Sequence, residues 1–241
     1  MGVLSSRAAS CDNEGSEEVY RETDFLLHSS GNNGALLHQN REGRRPTSEE
    51  TGKAEGAMNV DNCNATFPRY PITMRDKGWV YGVWYCGTSW TRVRLHGQYP
   101  PTFLKRALSL FPDAKHILHC PSGTITGPGT TVDMIRDEVR QPQVLASACS
   151  LPFADESFDL YLSDPPYTAQ DSKKYGCPPY PLGKAMKEAH RVLKPNGYLG
   201  VLHTYYPSYR RQMWHLRGLI AVVTGFQRAT RMFSVFQKKS D

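Results

Sequence analysis

Five consecutive residues, Ser163-Asp164-Pro165-Pro166-Tyr167, combine a carboxylate, two prolines and a phenol ring. Two adjacent prolines fix their own φ and bias Asp164 toward an extended backbone, so the segment is stiff and its carbonyls stay available as acceptors. Such a loop suits a flat amine. An amino group attached to an aromatic ring feeds its lone pair into that ring and is a poor nucleophile. The Asp164 carboxylate and the Pro165 carbonyl can each accept one of its N–H bonds, which draws the nitrogen toward tetrahedral geometry and frees the lone pair. Positioning and electrostatics would then supply most of the rate. Tyr167 can stack on the ring, worth roughly 1–3 kcal/mol where the ring is a nucleic-acid base.

Chemistry of this kind needs a framework that presents the loop. Residues 158–162 read as a buried strand running into Ser163, and ligands of open α/β sheets bind beyond the carboxyl ends of strands. Further strands are expected over 115–120, 130–134, 143–146 and 198–202, with two closing strands near 218–224 and 229–237. Residues 78–85 alternate aromatic and β-branched types between glycines and read as strand. Helices are expected over 102–111, opened by Pro100-Pro101, over 184–193, stopped by Pro195-Asn196-Gly197, and briefly near 208–216. Strands separated by helices or long loops predict an α/β domain with a mostly parallel sheet over residues 66–241. Residues 1–65 carry few apolar side chains and predict a disordered polar tail.

Three segments in order resemble class I S-adenosylmethionine-dependent amino-methyltransferases. Ser163-Asp164-Pro165-Pro166-Tyr167 resembles their Asp/Asn/Ser-Pro-Pro-Tyr/Phe/Trp motif. The stretch Leu151-Pro152-Phe153-Ala154-Asp155-Glu156-Ser157-Phe158-Asp159 looks like a segment common across that class, and Arg191-Val192-Leu193-Lys194-Pro195-Asn196-Gly197 resembles the turn before its fifth strand. The resemblance implies a Rossmann-like fold with a closing antiparallel strand, S-adenosyl-L-methionine as cofactor, and Asp164, Pro165, Pro166 and Tyr167 as the catalytic loop. It also implies cofactor contacts from Ser122 and Gly123 after the first strand of the fold, from Asp133 to the ribose hydroxyls, from Ser147 and Ala148 to the adenine, and from Tyr99 near the methionine end. Only residues 124–130 separate Gly123 from Thr131, fewer than the dozen that a parallel crossover usually takes, so the customary helix there is expected to be missing.

Charge bears on the substrate. Residues 1–65 hold 6 Lys+Arg and 11 Asp+Glu, a net of −5, whereas residues 66–241 hold 23 and 12, a net of +11. A basic folded part fits a polyanionic partner. Tyr205, Tyr209, Arg210 and Arg211 interleave rings and cations after the fifth strand of the fold, and are expected to contact bases and phosphates. The expected reaction is methylation of an exocyclic amine in a nucleic acid, with adenine in DNA favoured over RNA. Protein or a small molecule as substrate, or a non-catalytic binding module of the same fold, are the alternatives. No stretch is long enough for a separate target-recognition domain, so a protein partner could supply sequence selection. Six scattered cysteines without a Cys-x-x-Cys pair fit reduced thiols in a cytoplasmic protein and no metal site. No run of about 18 apolar residues suggests a membrane span.

Overall fold

The five apolar runs expected as strands become five consecutive strands at one end of a nine-stranded sheet. The computed structural model describes residues 57–87, 98–225 and 228–240. In chain order the elements are α1 (Val60–Thr66), β1 (Thr73–Arg75), β2 (Trp79–Tyr85), α2 (Phe103–Leu110), β3 (Ile117–His119), β4 (Thr130–Asp133), β5 (Val144–Leu145), β6 (Phe158–Ser163), α3 (Ala169–Tyr175), α4 (Leu182–Val192), β7 (Leu193–His203), β8 (Trp214–Val223) and β9 (Arg231–Lys238). The strand order is β1-β2-β8-β9-β7-β6-β3-β4-β5. From β3 the chain lays β4 and β5 to one side, then β6 and β7 to the other, all parallel. That is the Rossmann order, with its reversal between β3 and β6. β9 runs antiparallel to both β7 and β8. β2, from the start of the folded part, adds parallel to β8, and β1 closes that side as an antiparallel edge.

Two cores flank the sheet. On one face, Phe103, Ala107 and Leu110 of α2 pack with Val80, Trp84, Ile220, Val222, Phe233 and Val235. On the other, Ala185, Met186, Ala189 and Val192 of α4 pack with Leu118, Tyr161, Leu199, Val201 and Phe236. The α4 residues fall at the three- and four-residue spacing of one helical face. Gly200 marks how tightly β7 is packed, since a Cβ there would lie 2.6 Å from the Phe233 ring and 2.8 Å from Leu162.

Two of the three resembling segments are fastened to each other. The Arg191 guanidinium donates to Glu188, to Asp155 at 2.6 Å, and to the Leu151 and Phe153 carbonyls at 3.0 and 2.8 Å. Lys194 Nζ reaches Asp159 Oδ1 at 2.7 Å. These groups hold the loop entering β6 against the end of α4, so β6 and the Asp164–Tyr167 loop emerge in fixed register.

Several expectations are corrected. Residues 60–65, placed with the polar tail by composition, form most of α1, where buried Val60 and Cys63 join the α2 core. Asn59 caps this helix by accepting the Asn62 N–H at 2.9 Å. The helix near 208–216 is absent. Residues 204–213 instead cross from the end of β7 to the start of β8 as irregular chain, with Tyr209 and Met213 packed on the α4-side core. Conversely α3 was unforeseen, although its ends carry cap residues. Thr168 Oγ1 accepts the Asp171 N–H at 3.0 Å, and Gly176 closes the helix at φ 73°. The helix between β3 and β4 is absent, as expected, and the crossover is short chain. Buried His119 holds it through an Nε2 contact to the Pro128 carbonyl at 2.8 Å. Gly129, at φ 108°, lies so close to β3 that a Cβ would sit 2.7 Å from the Ile117 carbonyl oxygen.

Candidate active site

The strand order reverses between β3 and β6, so the loops leaving their carboxyl ends part there and leave a crevice. The Cys120–Gly129 loop leaves β3 and the Asp164–Tyr167 loop leaves β6. Asp164 therefore stands at the mouth of the crevice, with its side chain only 13% exposed. Tyr167 donates its hydroxyl to Asp164 Oδ1 at 2.5 Å. The Arg231 Nη1, at the start of β9, lies 3.8 Å from Asp164 Oδ2, and its guanidinium stands 5.4 Å from the centre of the Tyr167 ring. His203, at the end of β7, packs on Tyr167 at 4.9 Å and on Tyr205 at 4.1 Å between ring centres.

This packing sets the ionisation of the loop. Burial pushes the Asp164 carboxyl up to about 6, against the opposing pull of Arg231 and the Tyr167 hydroxyl. Burial, then the neighbouring Asp164 charge, raises Tyr167 above the usual phenol range, and the same two causes raise Tyr99. Burial lowers His203 below the usual imidazole value.

The residues expected to hold the cofactor gather on the β3–β4–β5 side. Asp133 ends β4, buried, and accepts the Gly123 N–H on Oδ2 at 2.9 Å and the Ile135 N–H on Oδ1 at 3.1 Å. Ser147 and Ala148 follow β5 and stay close, because the Ala146 N–H donates to the Asp133 carbonyl at 3.0 Å. The Ser147 hydroxyl accepts the Cys149 N–H within its own turn. Tyr99 packs on Phe103, 4.9 Å between ring centres, and 6.5 Å from His119. The Ser122 and Tyr99 hydroxyls are buried with no hydrogen-bond partner. Buried polar atoms without partners are costly. Two such hydroxyls beside the crevice fit a polar ligand that would satisfy them, and S-adenosylmethionine offers a carboxylate, an ammonium and ribose hydroxyls. The Asp133 carboxylate keeps lone pairs for that ribose.

The expected substrate residues divide. Tyr205 stands at the site, 55% exposed and against His203. Tyr209 packs on Phe236 at 5.1 Å, within the α4-side core. Arg210 and Arg211 are exposed and adjoin Trp214, which pairs with Lys238 at the opposite edge of the sheet. The crossover carries them away from the Asp164–Tyr167 loop. Arg231 and the contact of His203 with Tyr167 were not foreseen: β9–β7 pairing brings Arg231 to the loop and β6–β7 pairing brings His203 to Tyr167, and no local pattern encodes either. A hollow of about 610 Å³ opens between α1 and β1, and none of the expected site residues lines it.

Residues 118–201 match the family model described as a methyltransferase domain, a span from within β3 to within β7 that contains the Asp164–Tyr167 loop. Together with the strand order, the match defines a Rossmann-like class I methyltransferase fold, for which S-adenosyl-L-methionine is the cofactor. Among solved structures, the chain is similar to TrmN from Thermus thermophilus, with 18% identity and a TM-score of 0.41 over 60% of this chain and half (50%) of that one. It is also similar to the putative methyltransferase yhhF from Escherichia coli, with 14% identity and a TM-score of 0.40 over 64% and 96% of the two chains. A third is the N-methyltransferase NodS from Bradyrhizobium japonicum WM9 in complex with S-adenosyl-l-homocysteine, with 12% identity and a TM-score of 0.34 over 53% and 79%. At these values the likenesses carry no argument about substrate. No curated protein matches the sequence. Among the described residues no helix is long and apolar enough to cross a membrane, and no group of His, Cys, Asp or Glu could hold a metal ion.

Proposed function

We propose that this chain transfers the methyl group of S-adenosylmethionine to an exocyclic amino nitrogen of a nucleic-acid base, adenine in DNA being favoured. One observation carries the reading: a buried carboxylate, Asp164, stands on a double-proline loop at the mouth of the crevice where the strand order reverses. The cofactor supplies an electrophilic methyl on a sulfonium. Asp164 and the Pro165 carbonyl accept the two N–H bonds of the amine and direct its lone pair. Methylation at nitrogen, with the sulfur keeping the C–S electron pair, would leave the nitrogen cationic, and the Asp164 carboxylate, raised to about 6, is placed to take the surplus proton. Pro166 keeps the loop rigid, and Tyr205 beside His203 offers a ring on which an extruded base can stack. Ser122, Gly123, Asp133, Ser147, Ala148 and Tyr99 would hold the cofactor. Arg210 and Arg211 are at most remote phosphate contacts.

The test offers labelled S-adenosylmethionine to the protein with DNA, RNA and protein pools. Label is expected in DNA. Asp164→Ala should abolish transfer while cofactor affinity stays within about tenfold, since no more than one charged contact is lost. Full activity in that variant would reject the assignment, and label in RNA or protein would move the substrate. The non-catalytic alternative is favoured by the Tyr167–Asp164 hydrogen bond, which already occupies one acceptor oxygen. Binding of the cofactor without label in any pool would support it.

A further inference from the structure

Both faces of a largely parallel sheet are normally covered. Among the described residues, no element covers the face of β2 that points away from α2. Val80 and Trp84 of β2 belong to the α2-side core, and the alternate residues Trp79, Tyr81, Val83 and Tyr85 belong to neither core. Val83 is 49% exposed and Tyr85 41%. Register places Thr73 and Arg75 of β1, and Leu219, Ala221 and Val223 of β8, on that same face. Tyr70, 40% exposed, extends it, its ring 5.9 Å from that of Tyr85. Arg75 lies 5.2 Å from the centre of the Tyr81 ring.

The composition around this face points to one kind of occupant. Residues 69–85 and 214–223, which carry β1, β2 and β8, hold four Lys or Arg (Arg69, Arg75, Lys77 and Arg217) against a single carboxylate, Asp76. The segments that build the face are therefore net basic, like the folded part as a whole. Ring side chains two residues apart on one strand are spaced by about 6.6 Å, and flat rings among cations suit unpaired bases and their phosphates better than an apolar protein surface. The position also fits. Tyr85 pairs with Val223, and Val222 pairs with Arg231, so the ring row ends at the same sheet edge as the Arg231–Asp164 contact. Four strand spacings, roughly 19 Å, separate β2 from β6.

We infer that the uncovered β1–β2–β8 face is a stacking platform for single-stranded nucleic acid, which holds the strand flanking the target base. The inference rests on the nucleic-acid reading above and adds where the polymer lies. It is tested by fluorescence anisotropy of the full chain with labelled single-stranded DNA, single-stranded RNA and duplex DNA, each of about 12 nucleotides. At least one single strand should bind more tightly than the duplex. Tyr85→Ala and Tyr70→Ala, both at exposed rings, should each weaken single-strand binding by roughly 5- to 150-fold. Arg75→Ala should reduce the slope of log affinity against log salt by about 0.7. Melting midpoint and S-adenosylhomocysteine affinity, read on the same samples, should stay at wild-type values. Wild-type oligonucleotide binding in both tyrosine variants would overturn the platform and assign the face to a protein partner, while methyl transfer to nucleic acid would stand. A wild-type chain that binds only duplex would overturn the platform alone, and one that binds none of the three oligonucleotides would overturn the platform and the nucleic-acid substrate together.

Discussion

Asp164 is held in a state that costs stability. Its carboxyl is raised from an ordinary value near 3.8 to about 6, first by burial, with Arg231 and then Tyr167 pulling the other way. The folded state thus prefers the protonated form, and stability falls as pH rises from about 4 to 6. At pH 7.5, Asp164→Asn should be stabilised by about 1–3 kcal/mol, the worth of that shift less the lost Arg231 attraction, as measured by denaturant unfolding. For the proposed reaction, activity would have the opposite sign, because the amine would need a carboxylate acceptor. The rate should fall below pH about 6, and Arg231→Gln should move that limb to higher pH by removing a charge that lowers the carboxyl. Tyr99, Tyr167 and Tyr175 also feel the Asp164 charge, but burial holds these phenols protonated throughout this range. His203 is lowered by burial, so His203→Asn should leave the limb in place. The carboxylate and its prolines were legible in the sequence because they are contiguous. Arg231, 67 residues downstream, was not, since only the antiparallel insertion of β9 beside β7 brings it there.

Elements were legible where periodicity and breakers agreed. α2 and α4 follow their apolar faces and flanking prolines, and β6 follows its largely apolar run, broken by Asp159. Residues 204–213 misled because rings and cations at mixed spacing resemble a helix face, whereas Tyr209 and Met213 are buried along an irregular path. The β3–β4 crossover was readable as helix-free from its length alone, but what steadies it was not. His119→Leu would leave the Pro128 carbonyl without its partner and should cost about 1–3 kcal/mol, with weaker cofactor binding by calorimetry. Gly129→Ala should be at least as damaging, because the backbone of β3 cannot yield to the added carbon. α1 went unread because its apolar content is two residues, Val60 and Cys63, yet both are buried. A chain beginning at residue 67 should be less stable than one beginning at residue 57 by about 3 kcal/mol in denaturant unfolding.

At the scale of the molecule, the sheet is unevenly clothed. α2 and α4 cover the β6, β7 and β9 region on opposite faces, while β3, β4 and β5 are joined by short chain without helices. β5 is two residues long and forms the edge. The charge balance said that a polyanion was a suitable partner, but not where, because charge along a chain carries no direction until strands pair. The side of the sheet assigned to the cofactor is therefore also the side with the least packing to hold it closed. Its ligand would act as a structural component, making the missing contacts between the Ser122–Gly123 loop, Asp133 and Ser147. Hydrogen exchange should show the amides of β4 and β5 opening before those of β6 and β7. S-adenosylhomocysteine at a hundred times its Kd should add about 2.7 kcal/mol to global stability and slow the exchange of that half selectively. Each turnover would then begin with a local ordering step, and the concentration of cofactor would set how much of the population is ready for a strand to dock.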